Sequence, residues 1–223
     1  MYQNNTGGGL MVDIDLRLYV ITDENLSLET GLMEKVRQAI EGGATVIQYR
    51  AKNKSSKQIY SEATALKKLC REYGIPLIIN DRVDIAVAVD ADGVHVGQDD
   101  LPVEVVRRII GNGKIVGLST KTLEQVVEAN TLPVDYIGFG SVFPTTTKKD
   151  ATLSGIEMLR EAVKLSIQPV VAIGGINAEN VDSVLQTGCE NVAVVSAVFS
   201  ADSPFKAAQL LKQKILKGRR WRV

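Results

Sequence analysis

Asp81 lies in Asn80-Asp81-Arg82 and Asp100 in Gly97-Gln98-Asp99-Asp100, each directly after a short apolar run. Two carboxylates and an amide oxygen are hard oxygen ligands suited to Mg²⁺, which keeps waters and shares itself with substrate phosphates. The same aspartates could instead cap the helices that follow. Arg50 and Lys52, within Gln48-Tyr49-Arg50-Ala51-Lys52, and Lys148 are cations after two other apolar runs. Arginine offers a planar fork to a phosphate and lysine a point charge. Beside a metal-binding pair they suit a diphosphate; otherwise they are solvated surface charges. Gly174-Gly175 follows a further run and lets backbone N–H groups approach a phosphate, or simply makes a tight turn. Thr145-Thr146-Thr147 is a hydroxyl-rich loop that suits a second ligand, or is only polar. Ser119 and Ser196 end two more runs. His95 is the sole histidine and sits inside a run, where a satisfied core residue and a catalytic base are both open readings. With one histidine there is no His-based metal cluster and no nucleophile–His pair at recognisable spacing.

Eight short, Val/Ile-rich runs would have to hold these groups. They are 16–21, 45–49, 77–79, 93–96, 114–118, 135–139, 170–173 and 191–195, each bounded by Gly, Asp, Pro or Asn. Between them apolar residues recur at helical spacing, as in Leu32, Met33, Val36, Ala39 and Ile40, or Ile59, Ala63, Leu66 and Leu69. These predict helices over 31–40, 55–73, 84–89, 102–110, 123–129, 156–165, 178–186 and 204–216. Pro102 is expected just inside a helix start. Gly42-Gly43, Gly74, Gly111 and Gly188 fall just past helix ends, where a left-handed cap wants glycine. Eight strand–helix units predict one α/β domain, a (β/α)8 TIM barrel over 16–216, with a mobile leader over 1–15 and a basic tail over 217–223. An open doubly wound sheet is the alternative, weakened because no GxGxxG follows the first run. In such a barrel the active site lies at the C-terminal ends of the strands. The polar groups above, His95 inside its run aside, concentrate there.

The 223 residues are 45% hydrophobic, enough for one core and too apolar for intrinsic disorder. The 26 basic residues balance 26 acidic ones, which argues against a dedicated nucleic-acid binder. No apolar run approaches the roughly 18 residues of a membrane span, and the start does not read as a signal peptide. Cys70 and Cys189 make neither a disulfide framework nor a zinc site and fit a reducing, cytoplasmic compartment. The basic end, KQKILKGRRWRV, is explained by favourable charge at a helix C-terminus. Small molecules are the expected partners, not nucleic acid or membrane, with a homo-oligomer left open.

The set QYRAK, NDR, DGVHVGQDD, GLST, GSVFPTTTKKD and VAIGGI, in this order, resembles the thiamine phosphate synthase family over residues 16–214. GSVFPTTTKKD with DGVHVGQDD is the specific part. The resemblance implies a (β/α)8 transferase that joins 4-amino-2-methyl-5-hydroxymethylpyrimidine diphosphate to a thiazole phosphate, which is carboxylated in many organisms. The products would be thiamine phosphate and pyrophosphate, with CO₂ when the thiazole carries the carboxylate. It implies that Gln48, Tyr49, Arg50, Ala51 and Lys52 contact the pyrimidine diphosphate, with Arg50 and Lys52 on its phosphates. Asn80 would bind the same substrate, Ser119 and Lys148 would reach the diphosphate, and Asp81 and Asp100 would hold one Mg²⁺ per subunit. Thr145, Thr146, Thr147, Gly174, Val195 and Ser196 would hold the thiazole phosphate. The resemblance implies catalytic roles for Arg50, Lys52, Ser119 and Lys148. Ala51 stands where an acidic residue is common, and Val96 and Asp99 replace a frequent Leu and Glu; none removes an implied ligand. A thiazole tautomerase of related fold would use a histidine at the barrel mouth. A non-catalytic phosphate-binding module could lose Lys148 and the aspartates.

Overall fold

The computed structural model describes residues 14–27, 31–145 and 153–219. Eight parallel strands close on themselves in chain order: β1 Leu18–Ile21, β2 Val46–Tyr49, β3 Leu77–Asn80, β4 Gly93–Val96, β5 Ile115–Thr120, β6 Tyr136–Phe139, β7 Val170–Ile173 and β8 Asn191–Val194. β8 pairs with β1, so no edge is exposed. The helices between them are α1 Leu32–Glu41, α2 Ser56–Glu72, α3 Val83–Ala88, α4 Val103–Ile110, α5 Leu123–Ala129, α6 Gly155–Leu165 and α7 Val181–Leu185. After β8 come α8 Ser196–Phe199 and α9 Pro204–Arg219. This is the (β/α)8 barrel that the sequence predicts, and the closed strand order excludes the open sheet.

Strand residues alternate between two cores, as a period of two requires. Leu18, Val20, Ile47, Tyr49, Leu77, Ile79, Val94 and Val96 point outward and pack under the helices. Tyr19, Ile21, Val46, Ile78, Ile115, Tyr136, Val171 and Ala193 fill the barrel interior. Each helix seats its apolar stripe on the outward layer, such as Ile59, Ala63, Leu66 and Leu69 of α2. Ser55 caps α2 through a capping box with Gln58.

Three local expectations differ. Pro102 is the residue before α4 rather than its first member. Gly42 keeps a right-handed conformation, and the left-handed turn falls to Gly43 at φ +110°. Gly42 is instead required by close approach, since a Cβ there would meet the Phe205 carbonyl oxygen at 2.4 Å. The turn of helix at Ser196–Phe199 was not expected as a separate element. Most of the leader and the end of the tail lie outside the described residues, but Asp15 is held by the Arg17 guanidinium, with Nε donating at 2.7 Å.

Candidate functional site

The mouth of the barrel is shaped by how each strand ends. Thr22, fully buried after β1, accepts from the Arg50 N–H at 2.9 Å and so fixes where the chain leaves β2. Glu24 accepts from the Lys52 N–H at 3.3 Å and from Asn53 Nδ2 at 2.6 Å, tying the β1 and β2 loops together. After β3 the chain turns at Asp81, which has φ +60°. A non-glycine residue there is uncommon, and aspartate is among the few that tolerate it. The turn aims the Asp81 carboxylate at the Lys52 ammonium. It also sets Asp81 beside Asp100.

Asp100 accepts from the Gly97 N–H at 2.7 Å. Burial pushes its carboxyl above the ordinary aspartate range, the Gly97 N–H pulls it down, and the neighbouring Asp81 carboxylate adds to the rise. Neither aspartate caps a helix: the residues before α3 and α4 are Arg82 and Pro102, without side-chain caps. Among the described residues no cluster of three or more His, Cys, Asp or Glu could hold a metal, so the acidic pair has no third such ligand.

Below this rim a pocket enters the barrel, lined by Gln48, Arg50, Asn80, Ser119, Thr145, Gly174, Val195 and Ser196 among others. Sequence reasoning named all of these. Lys52, Asp81 and Asp100 sit at the rim rather than in the pocket lining. Tyr49 faces the other way: its ring is buried in the outer core and its hydroxyl donates to Glu62 at 2.6 Å. Only its backbone is left to meet a ligand. Ala51 packs against the outer core too. Thr146, Thr147 and Lys148 lie outside the described residues.

Gly174 and Gly175 have φ of +102° and +62°. A Cβ on Gly174 would fall 2.1 Å from Ser141 Oγ, and one on Gly175 would fall 2.3 Å from the Pro144 carbonyl oxygen. The β6 loop is laid directly on them, with the Phe143 N–H donating to the Gly174 carbonyl at 3.0 Å. The glycine pair thus seats the loop that carries Thr145, in addition to lining the pocket.

The pocket floor holds residues whose part sequence reasoning missed. Tyr19, His95 and Tyr136 all line it. Gln48 Nε2 donates to the Tyr19 hydroxyl at 2.8 Å, and the Tyr19 and Tyr136 hydroxyls are 2.7 Å apart. Tyr136 Oη is 2.9 Å from His95 Nδ1, and His95 Nε2 is 2.9 Å from Ser119 Oγ. Burial raises both tyrosines well above the usual phenol range, so both remain protonated. Gly117 and Gly138 make the room: a Cβ on Gly117 would lie 2.2 Å from the Tyr136 ring, and one on Gly138 3.2 Å from the His95 ring. His95 is therefore a hydrogen-bonded floor residue. The signal for this group was a polar-tipped ring at inward positions of strands otherwise built from Val and Ile.

The model of the thiamine monophosphate synthase family matches residues 18–198. A thiamine-phosphate synthase of Persephonella marina is 64% identical over 202 residues, covering 91% of this chain and 97% of that protein. One of Aquifex aeolicus is 46% identical, covering 90% and 93%. The structure of a thiamine phosphate pyrophosphorylase from Pyrococcus furiosus superposes with a TM-score of 0.85 at 45% identity, over 91% of this chain and 96% of that one. A 3-hexulose-6-phosphate synthase, at 18% identity and TM-score 0.64, shares the fold alone. With the closed barrel and its polar mouth, these likenesses establish that the chain belongs to the thiamine monophosphate synthase family of transferases.

Proposed function

We propose that the thiamine-phosphate synthase activity of this chain joins 4-amino-2-methyl-5-hydroxymethylpyrimidine diphosphate to thiazole phosphate, or to its carboxylated form, by a dissociative displacement. The observation that carries the reading is one pocket lined by Gln48, Arg50, Asn80 and Ser119 from the ends of β2, β3 and β5 and by Thr145, Gly174, Val195 and Ser196 after β6, β7 and β8. Two phosphorylated substrates need two such sets. Arg50, Asn80 and Ser119, with Lys52 at the rim and Lys148, bind the pyrimidine diphosphate. Thr145, Gly174, Val195 and Ser196, with Thr146 and Thr147, bind the thiazole phosphate.

The donor set at the rim fits a hard divalent cation. Asp81 and Asp100 are adjacent carboxylates whose mutual repulsion a cation would relieve. One Mg²⁺ held by them would supply charge neutralisation to the departing pyrophosphate. The protein groups do the rest. Arg50, Lys52 and Lys148 stabilise charge on the leaving oxygens, and Ser119 donates a hydrogen bond there. The C–O bond to the pyrimidine methylene breaks and its electron pair leaves with pyrophosphate. The amino-substituted ring carries the resulting positive charge until the thiazole nitrogen lone pair forms the new C–N bond. A carboxylated thiazole then loses CO₂. Holding both rings in one pocket makes the attack effectively intramolecular. No strong base is required, in keeping with a sole histidine held in the pocket floor.

Among the described residues no helix is long and apolar enough to cross a membrane. Both cysteines are buried and unpaired with each other, in keeping with a cytoplasmic protein of small-molecule metabolism.

The test is a coupled assay with both substrates and either Mg²⁺ or EDTA, following thiamine phosphate as its fluorescent thiochrome. Product that requires the metal supports the reading. No product from folded protein and intact substrates overturns it. Product formation insensitive to electron-withdrawing groups on the pyrimidine overturns the dissociative step. Isomerised thiazole phosphate formed without any pyrimidine would favour the tautomerase.

A further inference from the structure

The floor of the pocket is a single file of hydrogen bonds, Gln48–Tyr19–Tyr136–His95–Ser119, running across the barrel between β2 and β5. Its two ends are residues assigned above to the substrate, and its middle is assigned to nothing. The direction of such a file follows from one fixed member. An amide N–H₂ only donates, so Tyr19 accepts from Gln48 at 2.8 Å. Tyr19 is 1% exposed, and its single proton needs an acceptor; Tyr136 Oη at 2.7 Å provides it. Were both protons to point at Tyr19, a buried hydroxyl proton would be stranded without an acceptor. Tyr136, fully buried, has by the same reasoning to pass its own proton to His95 Nδ1 at 2.9 Å. A ring nitrogen that accepts carries no proton. His95 is then neutral, protonated at Nε2, and donates to Ser119 Oγ at 2.9 Å.

We propose that Gln48 sets the polarity of this file, so that His95 is held as the Nε2–H tautomer and Ser119 keeps its own proton for donation into the pocket. Ser119 lines that pocket, so the acceptor is an oxygen of the departing diphosphate. His95 and Tyr136 are positioning residues in this scheme. His95 is barred from acting as a base toward Ser119, because the nitrogen facing the serine already carries the proton. The glycines at 117 and 138 follow from the same device, since a side chain at either would crowd the rings in the file. This inference rests on the reading of Ser119 as a diphosphate ligand.

The chain has one histidine, so ¹⁵N-labelled imidazole gives a single, already assigned pair of nitrogen signals. Long-range ¹H–¹⁵N spectra of the full-length, substrate-free protein should show a proton on Nε2 and none on Nδ1. A proton on Nδ1, in either the other tautomer or the imidazolium, overturns the proposal. Gln48→Glu replaces the donor by an acceptor of the same shape and should reverse the file, placing a proton on Nδ1. An unchanged Nε2–H signal in that variant overturns it. Tyr136→Phe, which keeps the ring, should leave both tautomers populated; a still pure Nε2–H ring there equally refutes control from Gln48. In turnover, Ser119→Ala should lose on the order of a hundredfold in the parent and clearly less on the Gln48→Glu background, because the serine proton is already turned away. Fully additive losses count against the proposal. The spectra need no substrate, so the tautomer can be wrong while thiamine phosphate is still made, and the reverse.

Discussion

At the N-terminal end of the strands, Asp135 accepts from the Val116 N–H at 2.7 Å and pairs with Arg107 at 2.6 Å. At the C-terminal end, Asp100 stands beside a second carboxylate, Asp81. The lower face repeats its arrangement. Asp92 accepts from the Leu77 N–H at 2.8 Å and pairs with Lys67 at 2.6 Å. Arg107 also donates to the carbonyls of Lys114 and Pro133, tying the α4–β5 connection to the α5–β6 connection. Both carboxylates there meet an opposite charge and a backbone N–H at or next to a strand's first residue. The upper face keeps two carboxylates close with Lys52 on Asp81 beside them, a left-handed aspartate, and glycines that admit loop backbone. Charges that meet opposites hold the barrel together. Two carboxylates facing one lysine keep a net negative charge that a cation brought from solution can meet.

Substitutions at the two ends should therefore separate activity from stability. Asp81→Asn is the largest expected effect on turnover. Asparagine tolerates the left-handed turn, so the fold should survive. Loss of the carboxylate should reduce thiamine phosphate formation on the order of a thousandfold. A melting temperature close to the parent's and a drop in turnover are both required; near-normal turnover would remove Asp81 from the site. Arg107→Ala is the counterpart below. It strands a largely buried Asp135 and should cost about 3 kcal/mol, or roughly 6–12 °C in Tm, with kcat per folded molecule unchanged. Thermal scanning and the thiochrome assay together check it. A fall in kcat there would mean that the two ends are not independent.

Gly174→Ala tests the boundary between the two regimes. The new Cβ would meet Ser141 Oγ at 2.1 Å with φ at +102°. The β6 loop has to shift, at about 2 kcal/mol of strain. Since that loop carries Thr145, KM for thiazole phosphate should rise roughly tenfold while KM for the pyrimidine diphosphate changes little. Equal changes in both would mean that the loop serves the whole pocket.

The barrel was legible because eight Val/Ile runs and the helical stripes between them each agree with the strand–helix alternation. The site was legible where chemistry sits on loops after strands, as at Arg50, Asp81 and Asp100. It was not legible where orientation decides. Gln48 and Tyr49 are adjacent, yet the period of two sends one into the pocket and the other under α2. Tyr19, His95 and Tyr136 look like core from sequence because they are core; only three-dimensional pairing makes them a file. The helix at Ser196–Phe199 is too short for any periodicity to be read from four residues. Thr146, Thr147 and Lys148 stay sequence-based assignments, outside the described residues.

Asp100→Asn is the subtlest comparison of the two ends. In the metal-free fold the Asp100 carboxyl is raised, by burial and by Asp81, against the Gly97 N–H. The folded state then binds more protons than the unfolded one between the ordinary aspartate value, about 4, and the raised value. More protons bound in the native state means that stability falls as pH rises through that window. The loss persists above it. Asparagine removes the titration yet still offers an oxygen to the Gly97 N–H. Solvent screens this mostly exposed carboxyl, so above the window the variant should be the more stable protein by only a fraction of about 1 kcal/mol. Below pH 4 the difference should vanish. Added Mg²⁺ should invert the order at neutral pH, because only the parent keeps both carboxylates for it and binding to the native state adds stability. The same variant should lose turnover. A variant less stable than the parent at pH 7 without metal would mean that the charged bond to Gly97 outweighs the repulsion from Asp81. The upper rim would then be held by its own charges, as the lower one is.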